Sequence, residues 1–225
     1  MSDSGWFLLQ HGKQGAALNM AADEALLEAA PELGRPVLRF YGWLEAAASF
    51  GYSQKYSDIE RWTALRPLVR RPTGGGLVPH DTDWTYSVAV PPGHVWYELK
   101  AVESYQRIHE WIRDAFARIG VPTTLSPDCK KDIPGQCFIG SEKFDVLWHG
   151  RKIAGAAQRR TRDGLLIQGS VQPPPIPLQR EAWQSAMCAV AETTWTPLEF
   201  GGNLARLASD LVSTKYSRPE YNQKR

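Results

Sequence analysis

The chain has 225 residues, of which 43% are hydrophobic and 22% charged, and nine tryptophans, a composition typical of a globular protein rather than a disordered one. Its 26 basic and 24 acidic residues give a net charge of only +2, which argues against a general nucleic-acid or membrane-surface binder. No apolar run approaches membrane-spanning length and the first residues lack the pattern of a signal peptide. We therefore expect a cytoplasmic protein with no nucleic-acid or membrane partner.

The predicted elements begin with a helix at 18–30, which is rich in strong helix formers and is followed by Pro31. Two extended segments come next, PVLRFYGW at 36–43 and AASFGYSQ at 47–54, each closed by glycine or serine. The segment WTYSVAV at 84–90 alternates as a strand does, until two prolines end it.

The clearest predicted helix spans 101–119, where apolar residues recur at steps of three and four and form one stripe. Gly120 is suited to its C-terminal cap. His109 lies beside the apolar stripe, so we interpret it as a packing residue rather than a ligand.

The segment 143–160 predicts a strand, a tight turn at His149-Gly150 and then a second strand or loop that carries Lys152. A further strand is predicted at 164–172, and the prolines of 173–177 predict a stiff surface connector.

Two shorter helices, at 178–192 and 203–213, and a polar tail from 214 to 225 complete the chain. This order of elements predicts a single α+β domain over 1–225, with its core at about 19–213, rather than a regular βαβ series.

Three cysteines, Cys129, Cys137 and Cys188, make an odd count without a CxxC pair. We therefore expect neither a disulfide framework nor a structural zinc site, and we predict no metal site. The open question is whether one of the three is a reactive thiol.

The stretch RRPTGGGLVPHD at 70–81 places three consecutive glycines after two arginines. It matches neither GxGxxG nor the P-loop pattern. The glycines are explained either by a tight bend or bulge with positive φ, or by a loop that cradles a ligand. Arg70 and Arg71 favour a ligand with an anionic or carbonyl group, because guanidinium groups and backbone amides both donate hydrogen bonds.

Two further segments are candidates for chemistry. Lys152 precedes the small residues 154–157, where backbone can pack closely on a substrate, although a solvated hairpin lysine is the commoner outcome. Cys137 lies between Gly135 and Gly140 and is either a small buried residue or a nucleophile.

These blocks, RRPTGGGLVPHD, GRKIAGAAQRR and GLLIQGSV, preceded by LNMAADEALL and PVLRFYGW, resemble the lipoate/biotin protein ligase and octanoyltransferase superfamily over about residues 19–171. The resemblance implies an α+β fold of the class II aminoacyl-tRNA synthetase and biotin synthetase type, with a mixed, mostly antiparallel sheet flanked by helices. It is strongest to the cysteine-dependent transferases that take octanoyl groups from acyl carrier protein.

The resemblance also implies roles for individual residues. Lys152 matches the family lysine that contacts the acyl carbonyl or acyl phosphate. Pro79 departs from the usual residue beside the glycine loop. The residues expected to bind substrate are Arg70, Gly74, Gly75, Gly76, His80, Gly155 and Ala156.

Two chemistries share this fold. A ligase activates a free acid with ATP and Mg²⁺, whereas a transferase starts from a thioester and needs no cofactor but needs a nucleophile. Cys137-Phe138 lies fifteen residues before Lys152, as in the cysteine-dependent transferases, and only about fifty residues follow the QGSV block, too few for the accessory domain that many ligases carry.

We therefore expect a monomeric octanoyltransferase with Cys137 and Lys152 as catalytic residues. It would move an octanoyl or lipoyl group from acyl carrier protein to a lysine of a lipoyl domain, in the glycine cleavage H protein or the E2 subunits of 2-oxoacid dehydrogenases. The alternatives are an ATP-dependent lipoate ligase acting through lipoyl-AMP, an amidotransferase between lipoyl proteins, and a non-catalytic relative. Cys129, in the polar segment DCKKD, is a weaker candidate nucleophile, and His80 is a candidate general base that is as often structural.

Overall fold

A computed structural model describes residues 5–129 and 140–224, which form eleven strands, eight helices and one π-helical turn at Val212–Tyr216. The strands, β1 to β11, are Trp6–Gln14, Val37–Trp43, Ala47–Phe50, Leu68–Arg70, Val78–His80, Trp84–Val90, Thr124–Leu125, Val146–Trp148, Arg151–Thr161, Gly164–Val171 and Trp195–Pro197. The helices, α1 to α8, are Ala16–Glu28, Ala30–Leu33, Tyr56–Trp62, Val95–Glu98, Ala101–Arg118, Arg180–Val190, Gly202–Leu211 and Pro219–Asn222.

The main sheet has eight strands in the order β11-β1-β2-β6-β10-β9-β8-β7. Strand β1 pairs in parallel with β11 and β2, and the other neighbours are antiparallel. A smaller sheet has the order β4-β3-β5. The predicted α+β domain with a mixed, mostly antiparallel sheet and flanking helices is confirmed.

The central strands β2, β6 and β10 are buried along their whole length, since helices cover both faces of the sheet. One face packs on α5 and α6, where Trp183 contacts the rings of four other aromatic residues in the largest core cluster. The other face packs on α1 and α7. Such two-sided burial explains why these strands are almost continuously apolar or small.

Most predicted elements are found within two residues of their expected ends. The extended segment 47–54 is shorter than expected, because β3 ends at Phe50 and a turn begins at Gly51. The predicted hairpin turn is present, with positive φ at His149 (48°) and Gly150 (77°).

The segment predicted as a polar tail is folded instead. Tyr216 is buried, and its hydroxyl donates to Oε2 of Glu24 at 2.7 Å. The ammonium of Lys215 contacts the same carboxylate at 2.5 Å. The polar composition did not predict this packing, because the Lys215 ammonium pairs with Glu24 on α1. The tyrosine rings supply the apolar surface that packs against the fold. In the part of the chain that the structure describes, no helix is both long enough and apolar enough to cross a membrane.

A buried ion pair joins α1 to the sheet. Nη1 of Arg39 lies 2.6 Å from Oδ1 of Asp23, and both side chains are fully buried. Asp23 also accepts hydrogen bonds from Tyr41, Ser87 and Gln168, so its carboxylate links β2, β6 and β10.

We expect Asp23→Ala to lower the free energy of unfolding by roughly 3–5 kcal/mol, because it leaves the Arg39 guanidinium buried without its counter-charge. Urea unfolding followed by circular dichroism measures the loss. Asp210→Ala is the control, since Asp210 pairs with Arg206 on the exposed surface of α7 and should cost less than about 1 kcal/mol. Equal losses in the two variants would contradict this account.

Candidate active site

A bulge in β9 sets the direction of Lys152. Val146 of β8 pairs with Ala154, but the next residue, Leu147, pairs with Lys152, so β9 carries one extra residue here. Ile153 and Ala154 are accordingly both buried in the core, which interrupts the alternation of a regular strand. Bulges of this kind re-aim side chains. Lys152 thereby joins the residues that line a cavity between β9, β10 and the small sheet.

The ammonium of Lys152 pairs with a buried carboxylate. Nζ lies 2.7 Å from Oδ2 of Asp145, and the two side chains are 7% and 0% exposed. The lysine crosses directly over Gly155, where an added Cβ would lie 2.7 Å from Cε and 2.8 Å from Nζ of Lys152. A side chain at position 155 would therefore force the end of the Lys152 side chain to shift.

Asp145 is itself held by two further donors. The hydroxyl of Tyr105 on α5 donates to Oδ1 at 2.6 Å, and the backbone N–H of Glu142 donates to Oδ2 at 2.6 Å. Burial, and secondarily the Asp145 charge, raise the pKa of Tyr105 far above its usual value, so the phenol remains a donor. The carboxylate thus has a fixed orientation toward Lys152.

The cavity beside Lys152 is narrow and partly open to solvent. Its walls are small or apolar at Met20, Val78 and Ala156, and polar at Gln168 and Ser170. Small and apolar walls with a few convergent polar groups are typical of a small-molecule site. The expected residues Lys152, His80, Gly155 and Ala156 all line it.

His80 uses both ring nitrogens within the fold. Nε2 lies 2.8 Å from Oγ of Ser49 and Nδ1 lies 2.9 Å from Oδ2 of Asp83. The ring stacks on Trp43 with 3.9 Å between centroids. These contacts favour the structural interpretation of His80 over a general base.

The glycine loop folds against its own chain. An added Cβ at Gly51 would lie 1.9 Å from the carbonyl oxygen of Gly75, so the two backbones are in close contact. Gly75 has a φ of 84°, a value that favours glycine. Arg71 donates to the carbonyl oxygens of Gly74 and Gly76 at 2.6 and 2.7 Å. The loop is a tight turn held by Arg71, and Arg71, rather than the glycines, lines the cavity.

Arg70, which was predicted to bind substrate, lies away from the cavity beside Lys152. Its buried guanidinium holds the C-terminal helix α8 against the turn after β3. Arg70 is the last residue of β4 and Arg71 follows it, and of the two only Arg71 lines the cavity. The side chain of Arg70 donates to the backbone carbonyl oxygens of Tyr52, Gln54, Tyr221 and Asn222.

The predicted nucleophile, Cys137, lies outside the described residues, as does Phe138. Cys129 is exposed and Cys188 is half-buried, and burial raises the pKa of the Cys188 thiol to about 11. Within residues 5–129 and 140–224, no three His, Cys, Asp or Glu side chains are arranged to hold a metal ion.

Sequence reasoning did not identify Asp145 or Tyr105. The sequence does contain an indication that Asp145 is functional. It is an acidic residue in a segment predicted to pair with the strand that carries Lys152. A charged group in such a position needs a partner. Tyr105 falls on the apolar stripe of α5 and carries no comparable signal.

His109 is buried against Tyr105, as the packing interpretation requires. Its Nδ1 lies 2.8 Å from the carbonyl oxygen of Tyr105 and therefore carries the proton. Burial lowers the pKa of His109 from 6.5 to about 4.

Between pH 6.5 and 4 the unfolded chain binds a proton at residue 109 that the folded chain does not, so stability falls as the pH falls. Between pH 7 and pH 4 the free energy of unfolding should fall by roughly 3 kcal/mol less in His109→Gln than in the wild type. Urea unfolding at each pH measures this difference. His149→Gln, which alters an exposed histidine, should follow the wild type. Identical pH dependence in all three proteins would contradict a buried neutral His109.

Known proteins resemble this chain in sequence and in fold. Residues 15–172 match the family model of the lipoyl protein ligase A/B catalytic domain. The chain is 35% identical over 179 residues to octanoyltransferase LipM of Lysinibacillus sphaericus, covering 74% of this chain and 65% of the relative. It is 37% identical over 180 residues to LipM of Anoxybacillus flavithermus, covering 74% and 64%. The matches thus span slightly less than two thirds of each relative's length.

Among solved structures, the putative lipoate protein ligase Ta0514 from T. acidophilum superposes with a TM-score of 0.81 at 19% identity. The superposition covers 98% of this chain and 100% of that protein, so the two share one fold. The family match, which covers more than half of the sequence, agrees with that fold and with the motifs around Lys152. The chain therefore belongs to the lipoyl protein ligase A/B catalytic domain family.

Proposed function

We propose that the chain is an octanoyltransferase that passes an octanoyl or lipoyl group through a thioester on Cys137 to a lysine of a lipoyl domain. The observation that carries the proposal is the buried Lys152 ammonium, fixed by Asp145 at the wall of a narrow cavity. The similarity of the chain to relatives named octanoyltransferase supports a transferase over a ligase. The ATP-dependent ligase is the competing function.

The first step exchanges one thioester for another. The Cys137 thiolate attacks the carbonyl carbon of the octanoyl donor, a new C–S bond forms, and the donor thiol leaves as thiolate and takes up a proton. Negative charge develops on the carbonyl oxygen in the transition state. A fixed ammonium stabilises such a charge without having to reorganise, and this is the role that we assign to Lys152.

The second step forms the amide. The neutral amine of the acceptor lysine attacks the acyl carbon, the C–S bond to Cys137 breaks, and the amine proton is released as the thiolate leaves. Thioester exchange is nearly isoenergetic and aminolysis of a thioester is downhill, so the proposed reaction uses neither ATP nor a metal ion.

The proposed partners follow from this chemistry. Octanoyl acyl carrier protein is the donor, and the lipoyl domains of the glycine cleavage H protein and of E2 subunits are acceptors. We propose that the chain acts as a monomer in the cytoplasm.

Mixing the protein with octanoyl carrier protein, without ATP, should add one octanoyl group to the intact mass. Cys137→Ala should abolish the adduct, and the matched control Cys129→Ala should retain it. Absence of any adduct, together with ATP-dependent acylation of a lipoyl domain from free lipoate, would establish the ligase instead.

Gly155→Ala should slow formation of this adduct by about tenfold or more, since the new Cβ would occupy the path of the Lys152 side chain. The rate of mass increase measures the effect, and circular dichroism checks the fold. Gly201→Ala is the control, because an added Cβ there meets nothing within 4 Å. An unchanged rate in Gly155→Ala would contradict a dependence of the reaction on the present path of the Lys152 side chain.

A further inference from the structure

Lys152 presents a chemical difficulty to an enzyme that acylates lysines. Its amine lines the cavity proposed to hold a reactive thioester, and only 7% of its side chain is exposed to water. A neutral amine in that place would be a competing acceptor, and its acylation would form a stable amide on the enzyme itself. The site therefore needs a device that keeps this lysine from reacting.

The contacts around Asp145 are suited to that task. A lysine attacks a carbonyl only through the lone pair of its neutral amine, and an ammonium has none. The Asp145 carboxylate lies 2.7 Å from Nζ and is fully buried, so the pair is shielded from water and salt. Loss of the lysine proton would leave the carboxylate buried without its counter-charge, which is costly.

Two further contacts keep this carboxylate from turning away. The Tyr105 hydroxyl occupies Oδ1 and the Glu142 N–H shares Oδ2 with the lysine, so rotation of the carboxylate would break both hydrogen bonds. An ammonium has three N–H donors. Pairing with Asp145 is thus compatible with a contact from Lys152 to an acyl oxygen.

We propose that Asp145, oriented by Tyr105, holds Lys152 as an ammonium and so prevents the enzyme from acylating its own lysine. Asp145 is in this account a positioning residue that selects the acceptor. The inference rests on the proposed acyl transfer for its biological meaning, but it concerns a reaction that can be measured separately. In that reaction the neutral Lys152 amine attacks a thioester, a C–N bond forms, the C–S bond breaks, and the amine proton passes to the departing thiolate.

The test uses S-octanoyl-N-acetylcysteamine, a small thioester. Cys137 is replaced so that only acylation of amines is measured. Cys137→Ala is compared with the double variant Cys137→Ala/Asp145→Asn at pH 8. Peptide mass spectrometry after hydroxylamine treatment, which cleaves thioesters and leaves amides, measures octanoyl amide at Lys152. We expect at least tenfold more amide in the double variant.

The matched control is Cys137→Ala/Glu24→Gln. Glu24 contacts Lys215 at 2.5 Å, a comparable ion pair away from the cavity lining. This variant should acylate neither Lys152 nor Lys215 above the level of Cys137→Ala. The double variant Cys137→Ala/Asp145→Glu keeps a carboxylate at position 145. Its amount of amide at Lys152 should be close to that of Cys137→Ala alone.

Equal amide at Lys152 with and without the Asp145 carboxylate would overturn the inference. If Asp145→Asn does not fold, nitrogen-15 NMR of the lysine side chains in the wild-type protein decides instead, with Lys152→Arg for assignment. Lys152 Nζ should carry three protons at pH 8, and a neutral amine there would overturn the inference. Failure of the wild type to form a thioester on Cys137 would remove the proposed function, while the amide comparison would still decide the role of Asp145.

Discussion

The Lys152 side chain occupies the space left by the missing side chain of Gly155. Because no Cβ occupies that space, the Lys152 side chain can cross its own strand and bring its ammonium to the buried Asp145 carboxylate. The bulge at Ile153 supplies the other half of the arrangement, since it turns Lys152 toward the cavity. Backbone geometry and one absent methyl group thus place a charge at the cavity wall, and the proposed oxyanion stabilisation follows from that placement.

Two buried ion pairs serve different purposes in this fold. The pair of Asp23 and Arg39 lies between α1 and the sheet and connects the strands that form the cavity floor. The pair of Asp145 and Lys152 lies at the cavity wall, where one partner can also meet a substrate. Burial makes both pairs costly to break. In the first case that cost maintains the architecture, and in the second it fixes the position of a reactive group.

The sequence predicted the fold class, the four longest helices, the central strands β2, β6 and β10 and the hairpin that carries Lys152. These elements have strong local signals, such as helical periodicity, apolar extended runs and a turn at His149-Gly150. The sequence assigned Arg70 rather than Arg71 to the site, because it does not reveal which of two adjacent arginines packs against the cavity. It also missed the folded C-terminal segment. The interactions of Tyr216 and Lys215 with Glu24 join residues almost two hundred positions apart, and local composition cannot reveal them.

The central claim is that the Lys152 ammonium contacts the acyl carbonyl while Asp145 holds it. A crystal structure of the octanoyl adduct tests this most directly. The account predicts the carbonyl oxygen within about 3 Å of Lys152 Nζ, the Asp145 pair intact, and the acyl chain in the cavity between β9 and β10. An adduct whose carbonyl lies beyond the reach of Lys152, or whose chain lies outside this cavity, would contradict it.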